Sequence, residues 1–324
     1  MSVQGNTLAP GFFAIPRLDL GQALYDVNPS GIKYIADQVL APVPVSQNSA
    51  KISVITRESL LSKANGVVAP GAGYARIDMA TKDVQYACNE IGFESKLPDR
   101  QKAIYASFFD AEVATSKTLL NKLLLDRESR VAAKIFDTAK WTGSSLAANA
   151  GSGWSTAATG TVLADVANAK LKINQNTGLE PNVIVCSQTV LNYMKANTAI
   201  LNATQYTRFP NDKEWNTNLA GLFGVDRILV ANSVYNSGGE GQAFSSSTTW
   251  SSLYCWVGRV ALDGESLDTP CVGRSPVFTG DVPDGGPFIV EQYREESARS
   301  NVYRIRQTMD ELVYNEYLGF LITV

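Results

Sequence analysis

Residues 98–141 read PDRQKAIYASFFDAEVATSKTLLNKLLLDRESRVAAKIFDTAKW, with no proline or glycine after the first residue. Along it Tyr105, Phe109, Val113, Ser116, Leu120, Leu124, Arg127, Val131 and Ile135 recur at steps of four, four and three. Those steps hold one face of a 3.6-residue helix, and Leu119 and Leu123 widen the stripe. Pro98 suits a first helical turn, Asp99 sits favourably near the positive end, and Gly143 marks a stop. The pattern predicts one helix over 98–141, about 60 Å long at 1.5 Å per residue. A compact chain of 324 residues is only about 50 Å across, so such a helix kinks or belongs to an elongated subunit. Ser116 and Arg127 interrupt the stripe, which a sealed core tolerates poorly. The helix is therefore expected to be covered by its own sheet on one side and by a neighbour's arm or loop on the other.

On the C-terminal side, residues 142–161 (TGSSLAANAGSGWSTAATGT) have the composition of a linker or exposed loop. Beyond it the chain becomes regular. Val162, Val166, Ala169 and Ile173 define an amphipathic helix ending at Gly178. Val183–Cys186 is a short apolar run fitting a buried strand, and Ser187 is placed to cap a helix through Ala196. A further helix ends near Gly224, Arg227–Val230 reads as a strand, 233–252 as a polar loop and Leu253–Val260 as another strand. From Pro287 onward, 288–293, 301–308 and 316–324 alternate as three strands expected to form one sheet against the long helix.

On the N-terminal side, Ile52–Thr56 and Tyr74–Ala80 read as two extended strands, with Lys63–Gly66 and Ala69–Gly73 breaking regular structure between them. A two-stranded hairpin alone is marginal in water, so this one is expected to lean on another surface. Residues 1 to about 45 carry Pro10, Pro16, Pro29, Pro42 and Pro44. They read as an extended arm with one short helix over Gly31–Leu40, capped by Ser30. Phe12, Phe13, Ile15 and Leu18 are too apolar for a free tail.

Composition excludes several functions. The chain has no histidine, which removes Ser-His-Asp and Cys-His catalysis and the HExxH zinc site. Its net charge of −3 argues against a basic surface that reads nucleic acid. Cys88, Cys186, Cys255 and Cys271 fit no metal spacing and read as buried small hydrophobes in a reducing compartment. No secretory leader and no run of 18 apolar residues is present, so no membrane span is expected. Gly238–Gly241 lacks the P-loop lysine and a following helix. Ser30-Gly31-Ile32-Lys33 lacks its partner motifs and reads as a helix cap. Asp281 and Asp284 lack a calcium-loop pattern. Asn202-Ala203-Thr204 is a formal glycosylation acceptor only. Glu295-Glu296 and Asp310-Glu311 leave open an enzyme using carboxylates alone, such as a glycosidase. Their scatter favours strand ends, or partners of Arg57, Arg76, Arg294 and Arg299 across a subunit interface.

The order of these parts resembles the major capsid protein of tailed double-stranded DNA bacteriophages, the HK97-like fold. Local phrasing is similar too: Pro181–Val185 before a capped helix, then Asn197–Leu201; Leu219–Val230 followed by Tyr235–Ser237; and Tyr293–Glu296 with Tyr317–Ile322. The resemblance spans roughly residues 30 to 324. It implies an α+β capsid fold with an N-terminal arm (1–49), an extended E-loop hairpin (50–97), and a spine helix and linker of the peripheral domain (98–159). It further implies an inserted axial domain (160–285) and closing peripheral β-strands (286–324). It implies self-assembly into hexamers and pentamers of an icosahedral head around double-stranded DNA, built in the host cytoplasm. Portal, scaffolding and cement proteins are then partners, with no cofactor, metal, membrane or catalytic residue. Some relatives crosslink an E-loop lysine to a neighbour; Lys51, Lys63 and Lys82 lie in that region, but no motif selects one. No long charged helical segment precedes the arm, so a fused scaffolding segment is expected to be absent or removed. Contacts between subunits are expected at Arg57, Lys63, Arg76, Lys82, Arg127, Arg294, Glu295 and Glu296. An encapsulin-like compartment shell, a carboxylate-based hydrolase and a phage tail or baseplate protein are the alternatives.

Overall fold

A computed structural model describes residues 15–16, 34–63, 67–68, 74, 76–78, 80–105, 110–205, 212–239, 241–262, 269–280 and 286–324. Its first part comprises β1 (Ile15–Pro16), the one-turn helix α1 (Ala36–Val39), β2 (Pro42–Val45), β3 (Ser49–Ile55), α2 (Arg57–Leu60), β4 (Thr81–Ala87) and β5 (Asn89–Pro98). Next come α3 (Asp99–Tyr105), α4 (Ala111–Ile135), β6 (Ala147–Asn149), α5 (Val162–Thr177), β7 (Val183–Ser187), α6 (Gln188–Ala196) and α7 (Thr198–Thr204). Then follow α8 (Asp212–Phe223), β8 (Arg227–Ala231), β9 (Val234–Asn236), β10 (Ser246–Thr248) and β11 (Tyr254–Gly258). The chain ends with β12 (Gly273–Phe278), β13 (Ile289–Glu295), β14 (Ser300–Met309), β15 (Leu312–Val313) and β16 (Gly319–Thr323).

The 98–141 stretch is not one helix. Asp110 interrupts it: its backbone is extended, and its carboxylate accepts from Glu112 N at 2.9 Å and Val113 N at 3.3 Å, starting α4 afresh. An aspartate competes with the helix for its own backbone donors, so it caps where a search for proline and glycine sees nothing. At the other end α4 stops at Ile135, eight residues before Gly143, where the Trp141 indole donates to Ile135 O at 2.6 Å. The 25 residues of α4 span about 38 Å, which fits within the subunit.

Two sheets organise the rest. In a seven-stranded sheet β14 is central: β13 and β5 pair with it antiparallel, β12 joins at Val277–Met309, and β2 adds to β12 in parallel. One face of β5, β13 and β14 carries Phe93, Leu97, Val290, Tyr303 and Ile305, which pack on Leu119, Leu120 and Leu123 of α4. The second sheet has the order β6-β16-β11-β7-β8, with β7–β8 and β6–β16 parallel. Along its strands the side chains alternate between two cores. Ile184, Cys186, Cys255, Val257, Phe320 and Ile322 face α5, α6 and α8. Val183, Val185, Trp256 and Leu321 face the C-terminal end of α4 and the segment around Val39.

Four further expectations need correction. The segment 316–324 is not a third strand beside β13 and β14. Its strand β16 pairs with β11 and β6, because its apolar residues on both faces need a sheet covered on both sides. The return strand of the hairpin is Thr81–Ala87 rather than 74–80, and residues 76–78 are exposed coil. Residues 142–161 are no loose linker. Ala147–Asn149 forms β6, Trp154 is fully buried, and Asp165 accepts from the Trp154 indole at 2.8 Å and from the Thr161 hydroxyl at 2.7 Å. The helix expected over Gly31–Leu40 is the single turn Ala36–Val39, and its expected cap Ser30 lies outside the described residues. The strands β7, β8 and β11, the Gly178 stop of α5 and the Ser187 cap of α6 are found where the sequence places them.

Candidate assembly surfaces

Among the described residues, strands β3 and β4 pair only with each other. Their alternation puts Ala50, Ile52 and Val54 on one face with Tyr86, Val84 and, at its far end, Lys82, and Lys51, Ser53, Asp83 and Gln85 on the other. Tyr86 is buried, while Ile52, Val54 and Val84 stay half-exposed along an apolar face. The root of the hairpin is fixed by Cys88 N to Asn48 O at 2.9 Å, Ala87 N to Asp310 Oδ2 at 3.2 Å and Tyr86 OH to Gln47 O at 3.2 Å. Its far end is tied by Arg57, whose guanidinium lies 3.5 Å from the ring centroid of Tyr317. Beyond that point Leu61, Tyr74 and Ile77 are exposed by 51%, 87% and 70%, an uncovered apolar group at the tip.

Of the charged residues expected at interfaces, four belong to this hairpin. Arg57 also pairs with Glu58 at 3.3 Å. A backbone N–H, then Arg57 and Lys82, hold the Glu58 carboxyl below the usual range. Lys63, Arg76 and Lys82 are exposed. A second group lies where β5 and β13 end. Arg294 grips both oxygens of Asp99 at 2.6 Å each and reaches Glu296 at 3.4 Å, while Lys96 meets Glu295 at 2.6 Å. Arg294 holds the Asp99 carboxyl low, and Lys96 does the same for Glu295. These bonds fasten the start of α3 to the sheet, and Glu296 remains largely exposed.

Arg127 belongs to neither group. It is buried and ion-paired with Asp37, inside the subunit. Beside it the carboxylate of Glu128 is wholly buried, accepting from Ile35 N at 3.1 Å, Ala36 N at 2.9 Å and the Trp250 indole at 2.6 Å. Tyr34 OH donates to Asn121 Oδ1 at 2.5 Å. The chain's own segment 34–40 thus covers the α4 stripe at Arg127, and Glu128 joins that segment, α4 and the β10–β11 connection. Burial pushes the Glu128 carboxyl above its ordinary value against the pull of those donors. Sequence reasoning missed Glu128, although it lies four residues after Leu124 and three before Val131, on the apolar face. Ser116 is also buried, with no hydrogen-bond partner for its hydroxyl among the described residues.

Among the described residues no three metal-ligating side chains cluster, and no helix is long and apolar enough to cross a membrane. No protein-family model matches the sequence, and no curated protein matches it. Solved structures do. A phage-related protein of Bordetella bronchiseptica RB50 is similar over 96% of this chain and 97% of its own, with a TM-score of 0.72 and 21% identity. The capsid of cyanophage P-SCSP1u matches 100% of this chain and 92% of its own, with a TM-score of 0.59 and 11% identity. The mature capsid of bacteriophage PhiM1 matches 92% and 89%, with a TM-score of 0.56 and 14% identity. At such identities the likeness is one of fold, and it runs end to end in both partners. The chain has the α+β, HK97-like capsid fold.

Proposed function

We propose that this chain is the major capsid protein of a tailed phage, forming hexamers and pentamers that close as an icosahedral head around double-stranded DNA. The observation that carries the reading is the end-to-end structural match to phage capsids. The surfaces agree with it. A hairpin with an uncovered apolar face and apolar tip needs a second surface, and in a shell that surface is a neighbouring copy. Arg57, Lys63, Arg76, Lys82, Arg294, Glu295 and Glu296 set register between copies through charge pairs in this reading. Residues 1–49 act as an arm, 50–97 as the E-loop, 98–159 and 286–324 as the peripheral domain, and 160–285 as the axial domain, into whose sheet β16 is built. A net charge of −3 leaves no basic surplus with which to hold DNA, in keeping with DNA that is pumped in rather than bound. Portal and scaffolding proteins are the further partners, and assembly takes place in the host cytoplasm. Electron microscopy of the purified chain, alone and with a co-expressed scaffolding protein, tests this. Closed shells are expected, and a 35 kDa monomer under both conditions overturns it. Shells purified from infected cells should carry DNA; enclosed enzymes in its place would make the chain a compartment shell.

A further inference from the structure

Strand register sets two of the four cysteines face to face: Cys186 of β7 is the direct partner of Cys255 of β11. Both side chains enter the same core, among Ile184, Val257, Phe320 and Ile322, and both are 0% exposed. The backbone bonds show which kind of pair this is. Val324 N donates to Leu253 O at 2.9 Å and Arg259 N to Leu318 O at 2.8 Å, so odd-numbered residues of β11 bond toward β16. Gly258 O accepts from Asn182 N at 3.0 Å, on the β7 side. Cys255 therefore bonds away from β7, and Cys186–Cys255 is a non-hydrogen-bonded pair, the kind whose Cα atoms lie about 4.5 Å apart. That separation is within the span of a disulfide. Cys88 and Cys271 have no such partner: each lies outside the strands and its thiol meets oxygen, Pro276 O and Tyr314 OH respectively.

We propose that Cys186 and Cys255 are a modification site, a cross-strand dithiol that a low-molecular-weight disulfide of the glutathione type closes into an internal disulfide. One thiolate attacks the oxidant, breaking its S–S bond and releasing one small thiol. The second thiolate attacks the protein-bound sulfur of the mixed disulfide, forming the Cys186–Cys255 bond and releasing the other small thiol. The two protons and two electrons of the pair end on the two released thiols. In the folded lobe both sulfurs are shielded, and burial pushes the Cys186 thiol up to about 12, so the thiolate is scarce. Closure therefore belongs to the time when β7 and β11 come together during folding, or to openings of the lobe. The bond joins strands between which α6, α7, α8 and β8 are inserted, so it staples that part of the lobe as one unit. The pair itself is independent of the shell reading and stands or falls separately from it.

The test is to produce the full chain in a bacterial strain with an oxidising cytoplasm and in an ordinary reducing one. The oxidised product should be about 2 Da lighter, with the peptides of Cys186 and Cys255 linked in a non-reducing digest. Its melting temperature should lie about 5 °C higher until a thiol reductant is added. Cys186→Ser and Cys255→Ser abolish the link. A Cys88→Ser/Cys271→Ser double variant keeps it, and decides the matter if the first two do not fold. Folded chain from the oxidising strain with four free thiols, or with any other pairing, overturns the proposal.

Discussion

Glu128 shows how much one side chain decides here. Its carboxylate satisfies two backbone donors at the root of the arm and the Trp250 indole, all buried. Glu128→Ala leaves those three donors without an acceptor, and we expect a loss of about 3 kcal/mol, read from the urea midpoint. Amide exchange at Ile35 and Ala36 should rise in the same variant; unchanged exchange there would show that the bonds are not formed in solution. The pH dependence has a definite sign. Burial raises the Glu128 carboxyl from 4.5, so the folded chain holds that proton more tightly than the unfolded one. The resulting contribution is complete below about 4.5 and is lost as pH rises through the folded value. Stability of the natural chain minus that of Glu128→Gln should therefore fall as pH rises above about 4.5, and a rising difference contradicts the assignment. Cys186 behaves likewise at alkaline pH. With its thiol raised from 9.0 to about 12, its contribution is present below pH 9 and disappears toward pH 12. Urea midpoints should drop over that range less steeply in Cys186→Ala than in the natural chain.

At the scale of elements, the capping of α4 separates what periodicity can see from what it cannot. The apolar stripe from Val113 to Ile135 does lie in one helix, and Leu119, Leu120 and Leu123 do face the sheet. Among the described residues Asp110 marks the interruption, through two bonds to backbone N–H groups. Asp110→Ala should cost about 1 kcal/mol and raise exchange at Glu112 and Val113, whereas Asp110→Asn should cost much less. Equal losses in both would mean that charge near the helix dipole, rather than capping, is what counts. Residues 142–161 teach the converse lesson. Their Gly, Ser and Ala content reads as linker, yet Trp154 is fully buried and β6 joins the end of the second sheet. One tryptophan outweighs the composition around it, because an indole out of water stabilises more than many small residues can undo. In the candidate surface, the charged residues of the hairpin were legible from its sequence. Arg57 on Tyr317 was not, since the two residues are 260 positions apart and share no pattern.

For the whole molecule, the hairpin is the part for which we propose a role outside the subunit. Removing residues 60–74 should leave the two sheets and their cores intact, because none of the described residues among them belongs to the buried clusters. We expect a soluble, cooperatively melting chain that forms no shells by electron microscopy; normal shells from this deletion would end the E-loop assignment. The apolar stripe of α4, the strands β7, β8 and β11, the Gly178 stop of α5 and the Ser187 cap of α6 were all legible in the sequence. They depend on local period, caps and short apolar runs, which act within a dozen residues. Tertiary structure decided the rest. It placed β16 in the second sheet, laid residues 34–40 over α4 so that Arg127 and Glu128 are buried with partners, and set Cys186 opposite Cys255. Each of these is a choice among distant partners, made by the free energy of covering both faces of a sheet and giving buried polar groups partners. No local pattern records that choice.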